Sequence, residues 1–279
     1  MIILDSEEFK KFNIEFQQNS GFLDNLSKLI AISGRIIMFI SNKGFYTINT
    51  ALLENSIHTL ESIKMCSSLG NFADANTLIR KLRDDLLLYV FIISNTNKRR
   101  FTSNSNLTED EKAVEAWLNN TVKELDNKTK KKLSYENYMK YLKQDPNIEK
   151  ILKSYQLENY WSYLTTKLND YVHNNGLQFT LHNVIKSNIT HININLINVN
   201  IRTSFIITFF LILILMTESS LLSSGDAIDY LEEDLEIPEG CQYEIAPFIQ
   251  KYIDEKVIKI HPELKQFLKD NNSHGMTIE

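Results

Sequence analysis

Residues Thr203–Thr217 read TSFIITFFLILILMT, a run with no charged side chain. Its only polar groups are the hydroxyls of Thr203, Ser204, Thr208 and Thr217. A helix that is apolar on every side either spans a membrane or is buried by other helices. At the helical rise this run is about 22 Å long, whereas a span takes ~20 residues to cross ~30 Å of hydrocarbon. Arg202 and Glu218 close its ends, and no flanking Lys/Arg excess or Trp/Tyr belt marks an interface. The run is therefore expected to be a core helix. The fold class that follows is all-α, a multi-helix bundle around one central apolar helix at about 203–217, with no membrane role.

The rest of the chain supports helices. It has 279 residues, 43% of them apolar and 23% charged, the balance of a soluble globular protein. Only 8 Gly and 4 Pro are present, too few for a sheet with many turns. Helical spacing of apolar residues predicts helices over 6–16, 20–40, 47–69 and 72–93. Asn42-Lys43-Gly44 reads as the stop of the second. His58 falls one step off the inward stripe of the third, at its rim. Thr108-Glu109-Asp110-Glu111 has the form of a capping box. A helix in two pieces is expected over 134–155, divided near Asp145-Pro146, and another over 158–172 closed by Gly176 as its left-handed cap. Residues 191–201, HININLINVNI, alternate with period two. No partner strand is identifiable, so helix is expected from about Asn193. Pro238, Pro247 and Pro262 divide the C-terminal block into helices over 246–258 and 261–269. One domain over 1–279 is expected, with a bundle core at 1–235 and a helical extension at 236–279 packed on it.

Charge excludes some functions. Residues 1–150 carry 21 Lys/Arg against 19 Asp/Glu, and residues 151–279 carry 9 against 16. Neither part has the basic excess of a duplex-DNA-binding domain. Local RNA contact is still compatible, through Lys98, Arg99 and Arg100 joined by Lys130 and Lys131 of a second basic cluster. Cys66 and Cys241 lack metal-ligand spacing and read as reduced thiols. The six histidines never form a zinc pattern with an acid, and there is no glycine-rich phosphate loop, so neither metal nor cofactor is expected. The first residues lack a signal-peptide pattern, and a cytoplasmic location is expected.

The chemistry-bearing stretch is Lys167–Asn174, KLNDYVHN. His173 falls in the last turn of its helix, where the dipole favours imidazolium, and Asp170 precedes it by three residues on the same face. A protonatable histidine beside Lys167, Asn174 and Asp170 suits acid–base work on a phosphodiester. Arg83, on the flank of the 72–93 helix, is a candidate to supply a guanidinium. KLNDYVHNNG resembles the histidine end of the HEPN motif, an Arg followed by four to six residues and then His. That resemblance implies a helical, metal-independent RNase of phage-defence, abortive-infection or toxin–antitoxin systems, assembled as a dimer, with His173 as acid or base. Here Lys167 stands where the motif has Arg, and lysine lacks the guanidinium fork. Residues Tyr230–Glu255 resemble the C-terminal block of uncharacterised bacterial helical proteins, which implies no activity. Two functions are thus expected in competition. One is a non-catalytic interaction or regulatory subunit with a protein partner or a second copy. The other is the HEPN-like RNase.

Overall fold

The computed structural model describes residues 3–32, 38–41, 44–47, 50–97, 107–184, 189–223, 230, 235–236, 238–239 and 243–279. The fold is helical, and the apolar run lies in its longest described helix, α10 (Ile189–Glu218). Every residue from Phe205 to Met216 is buried. The stretch Thr190–Leu222 is long and apolar enough to cross a membrane, yet 94% of its most apolar window is buried within the protein.

The chain clusters into two compact units, each built from three segments. The first comprises residues 1–27, 51–86 and 152–209, and the second 28–50, 87–151 and 210–279. Helices α1 (Glu7–Ile32), α3 (Phe72–Asn97) and α10 supply residues to both.

In the first unit, Ser6 caps α1 by accepting from Phe9 N–H at 3.1 Å. Phe9, Phe12 and Phe16 recur at helical spacing and are buried, with neighbouring ring centroids 5.3 and 5.1 Å apart. Helix α2 (Ala51–Ser68) buries Leu53, Leu60 and Ile63, and its His58 is exposed beside Glu61. Gly70, at φ 74°, turns the chain into α3. Helix α8 (Leu157–Val172) lays Trp161 on Phe209 of α10, with rings stacked 4.1 Å apart. Tyr160 meets Phe205 edge-on at 4.3 Å. Asn200 of α10 donates to the Phe12 carbonyl of α1 at 3.1 Å.

In the second unit, Tyr89 of α3 meets Phe210 of α10 edge-on. Helix α4 (Glu109–Leu118) begins with the expected capping box, Thr108 and Glu111 each bonded to the other's backbone N–H. Short helices α5 (Asn127–Lys130), α6 (Tyr135–Leu142) and α7 (Pro146–Ser154) follow. The C-terminal block runs as Pro247–Tyr252, a π turn Ile253–Val257 and Ile258–Ile260, then Leu264–Asn271. It seals the end of α10. Ser273 N–H donates to the Leu215 carbonyl at 2.9 Å, and Ala246 N–H to the Leu222 carbonyl at 2.8 Å. Glu218 is only 1% exposed, and its carboxylate meets His274 Nε2 at 3.0 Å and the Ser220 hydroxyl.

Four local expectations are corrected. Helix α1 is continuous through residues 17–19: Gln17 and Gln18 sit on its exposed side, and Asn19 is buried along with Phe16 and Phe22, so the inward face is not interrupted. Residues Met38–Ser41 form strand β1 rather than the end of a helix, paired antiparallel with β2 (Gly44–Thr47) so that Ser41 faces Gly44. Aromatic and branched residues on both sides of 42–43 favour that pairing. HININLINVNI is helical from its first residue, since α10 starts at Ile189. The left-handed cap of α8 is Asn174, at φ 47°, two residues before Gly176.

Leu213 is fully buried, so Leu213→Asp places an unpartnered carboxylate in an apolar interior. Loss of cooperative folding is expected. Phe209→Ala removes only the ring stacked on Trp161 and is expected to cost about 3–5 kcal/mol. Chemical denaturation checks both, and a Leu213→Asp protein with the wild-type midpoint would overturn the buried placement.

Candidate functional site

The predicted histidine lies where the spacing put it, at the C-terminus of α8, but its neighbours are committed to ending the helix. Asn175 N–H donates to the Asp170 carbonyl at 3.0 Å and Asn174 N–H to the Tyr171 carbonyl at 3.4 Å, the paired bonds of a Schellman turn. Asn174 supplies the left-handed residue, which asparagine tolerates. Asp170 accepts from the Asn175 amide at 3.0 Å. Lys167 lies over the Tyr163 ring, 5.9 Å from its centroid. The His173 ring is exposed and bonds to no described residue. Cap chemistry therefore accounts for Asp170 and Asn174 without a substrate.

Arg83 does not lie on an open groove. It is 1% exposed, and its Nε and Nη2 donate to Asp84 Oδ1 at 2.8 and 2.7 Å. Arg80 approaches the other oxygen at 3.7 Å. Burial pushes the Asp84 carboxyl up despite the opposing pull of both arginines.

The second basic cluster is largely engaged locally. Lys132 pairs with Asp110 at 2.9 Å, and Lys130 donates to the Lys123 carbonyl at 2.9 Å. Asp126 caps α5 through Lys128 N–H and Thr129 N–H. Lys131 is exposed and pairs with no described residue. Lys98, Arg99 and Arg100 lie outside the described residues, as does Cys241.

A different set of polar groups converges in the first unit. Helix α9 (Leu177–Val184) buries Phe179 edge-on against Tyr171, at 4.9 Å, and this docking brings His182 back to α8. Asn183 accepts from Ala73 N–H at 2.8 Å, tying α9 to the start of α3. His182 Nδ1 then lies 2.9 Å from the Tyr171 hydroxyl. His191, in the first turn of α10, packs edge-on to His182 with centroids 5.4 Å apart. Asn195 holds His191 from the next turn, at 3.2 Å. Three turns along, Arg202 lies 5.6 Å from the Tyr171 centroid and donates through Nη1 to Asn76 of α3. Asn76 is itself held by donating to the Phe72 carbonyl at 2.7 Å. All these groups except Asn76, Tyr171 and Asn195 are partly open to solvent. Sequence reading named these histidines only as lacking a metal pattern. The available signal was the eleven-residue spacing of His191 and Arg202, which puts both on one side of a helix; tyrosine and amide partners from other helices carry no such signal.

On another strip of α10, Ile194, Ile197 and Ile201 are 53, 49 and 51% exposed. With Thr190 they recur at the alternating four- and three-residue spacing of a coiled-coil seam. Apart from His191, nothing titratable lies between Ile189 and Ile201. Among the described residues no cluster of three or more metal-ligating side chains occurs. The chain matches no family model, no curated protein and no solved structure.

The His182 ring is held below the ordinary histidine range by burial first, then by His191 and Arg202. The unfolded chain thus binds this proton more tightly than the folded one. Its contribution to stability is full above about pH 6.5 and is lost as pH falls through the lower folded value. The stability advantage of wild type over His182→Gln is therefore expected to shrink on acidification from about pH 8 to about pH 5. Thermal melts of the two proteins check this, and an advantage that grows with acid would reverse the assignment.

Proposed function

We propose that the protein is a helical interaction module, and that its docking face is the isoleucine strip of α10. The observation that carries this reading is the row of half-exposed Ile194, Ile197 and Ile201 on a helix whose following stretch, Phe205–Met216, is buried throughout. Single exposed apolar residues are ordinary, but a row at seam spacing is what one helix offers another. The occupant that fits is a second copy of the same helix. A two-fold contact sets each group against its own counterpart, so a charged seam would repel itself. This strip is flanked by Asn193 and Asn198, whose amides both donate and accept and can pair with their like. A standard interface takes about 800 Å² from each partner, more than three half-exposed isoleucines provide, which places the association in the weak, reversible class.

Ile197→Glu is the test. Sedimentation is expected to show concentration-dependent self-association of wild type and a monomeric variant. The fold should be nearly unaffected, within about 0.5 kcal/mol for a surface change. Wild-type protein that stays monomeric at high concentration would sink the second-copy assignment.

A ribonuclease reading of the HEPN-like kind has one observation in its favour: the His173 imidazole is exposed at a helix end where a phosphodiester can reach it. On that reading His173→Ala abolishes cleavage of RNA, or toxicity on overexpression, while folding is retained and EDTA has no effect. Folded wild-type protein that leaves transfer RNA and single-stranded RNA uncut, and that is harmless in cells under phage challenge, would remove this reading.

A further inference from the structure

The isoleucine strip of α10 runs between two walls of different charge. With Thr190 and Ile197 at heptad position d and Ile194 and Ile201 at a, Asn193 and Asn200 fall at g, and Asn198 and Phe205 at e, on opposite flanks of the strip. Helix α8 covers the e flank, where Tyr160 meets Phe205 edge-on at 4.3 Å. Trp161 stacks on Phe209 while Tyr171, further along α8, lies by Arg202, so α8 runs antiparallel to α10. Tyr163 and Lys167 follow Tyr160 one and two turns on, on its side of α8. They therefore stand beside the turns of α10 that carry Ile201 and Asn198. Tyr163 is 56% exposed, with its ring 6.2 Å from that of Tyr160, and Lys167 lies over it. Helix α1 covers the g flank. Asn200 donates to the Phe12 carbonyl at 3.1 Å and to the carboxylate of exposed Glu15 at 3.3 Å. One wall thus offers an aromatic ring and a cation, the other an anion, at nearly the same height along the strip.

A two-fold axis can lay this strip on itself in two ways. With the α10 helices antiparallel, e flank meets e flank and g meets g. The axis then crosses the middle of the strip, close to both charges, and brings Lys167 and Glu15 each toward its own counterpart. With the helices parallel, e meets g. Lys167 then faces the partner's Glu15, Tyr163 lies against α1 of the other copy, and Asn193 meets the partner's Asn198. The seam itself stays like on like, Ile197 against its counterpart. Symmetry counts each of these flanking pairs twice. Helix dipoles prefer the antiparallel arrangement, but that effect fades beyond the terminal turn, and of the strip only Thr190 lies in the first turn of α10.

Given the self-association proposed above, on which this rests, we propose that two copies meet with their α10 helices parallel, the Tyr163–Lys167 wall of each against the Glu15 wall of the other. The isoleucines then supply the contact, and the two walls decide its direction. Helices α1 and α8 become part of the interface and widen it beyond the strip. Tyrosine is well suited to such a flank, since it brings a large rigid surface with little side-chain freedom to lose.

The test is disulfide cross-linking in the full chain, with Cys66 and Cys241 changed to serine. Thr190→Cys and Ile201→Cys are made singly and mildly oxidised, alone and as a mixture. A disulfide needs Cα atoms within about 7 Å. Parallel helices bring each position to itself, so each variant alone is expected to give covalent dimers. An antiparallel seam sets a against d and brings the two positions to each other. Dimers that form only in the mixture therefore overturn the proposal and leave self-association standing. Sedimentation of charge variants gives an independent readout. Lys167→Glu is expected to weaken association about threefold or more, and adding Glu15→Lys to the same chain to restore it. A double variant that is not restored overturns the pairing of the two walls. Wild-type protein that stays monomeric, with no cross-link alone or mixed, fails the self-association itself. Association without any cross-link puts the contact elsewhere on the chain and overturns both.

Discussion

The physical constraint beneath this structure is the cost of exposing α10. An ordinary surface helix hides one stripe and leaves the rest to water. From Phe205 to Met216 α10 has no side that tolerates water, so it has to be covered all round. In the first unit that cover includes the aromatic face of α8, through Trp161 and Tyr160. In the second it includes Tyr89 and the C-terminal block. Long amphipathic helices with few interruptions meet this demand, in keeping with the low Gly and Pro content of the chain.

That much was legible in the sequence because it rests on composition and local chemistry. A charge-free run is visible without knowing its neighbours, and so are a Ser6 cap and a Thr108–Glu111 capping box. The hairpin was not legible in the same way. Residues Met38–Ile40 continue the apolar spacing of the preceding helix, and what makes them a strand is pairing with Phe45–Thr47 across residues 42–43. Gly176 was the natural cap by residue type, yet Asn174 has the required conformation, since the helix stops at Val172 and its left-handed residue has to follow directly.

The polar chemistry was less legible for a related reason. KLNDYVHNNG gathers suggestive residues in sequence, but the folded helix end uses Asp170, Asn174 and Asn175 on one another. The cluster around His182 draws on α3, α8, α9 and α10. Its members are separated by up to 126 positions, as for Asn76 and Arg202. No local spacing rule reaches across that distance.

The polar limits of the apolar run, Arg202 partway along α10 and Glu218 at its end, bear on a different matter, the axial position of the helix. A rod apolar on all sides has little to say about where along its length it should sit. Sliding it by one turn, about 5.4 Å, exchanges one aliphatic contact for another of similar worth. Polar groups break that degeneracy. Arg202 reaches Asn76 in the first unit, and buried Glu218 meets His274 and Ser220 in the second. A shift of one turn would strand a buried carboxylate without its partners, at a cost of several kcal/mol. Glu218 thus acts as an index mark for the helix: its value lies less in added stability than in making every other register worse.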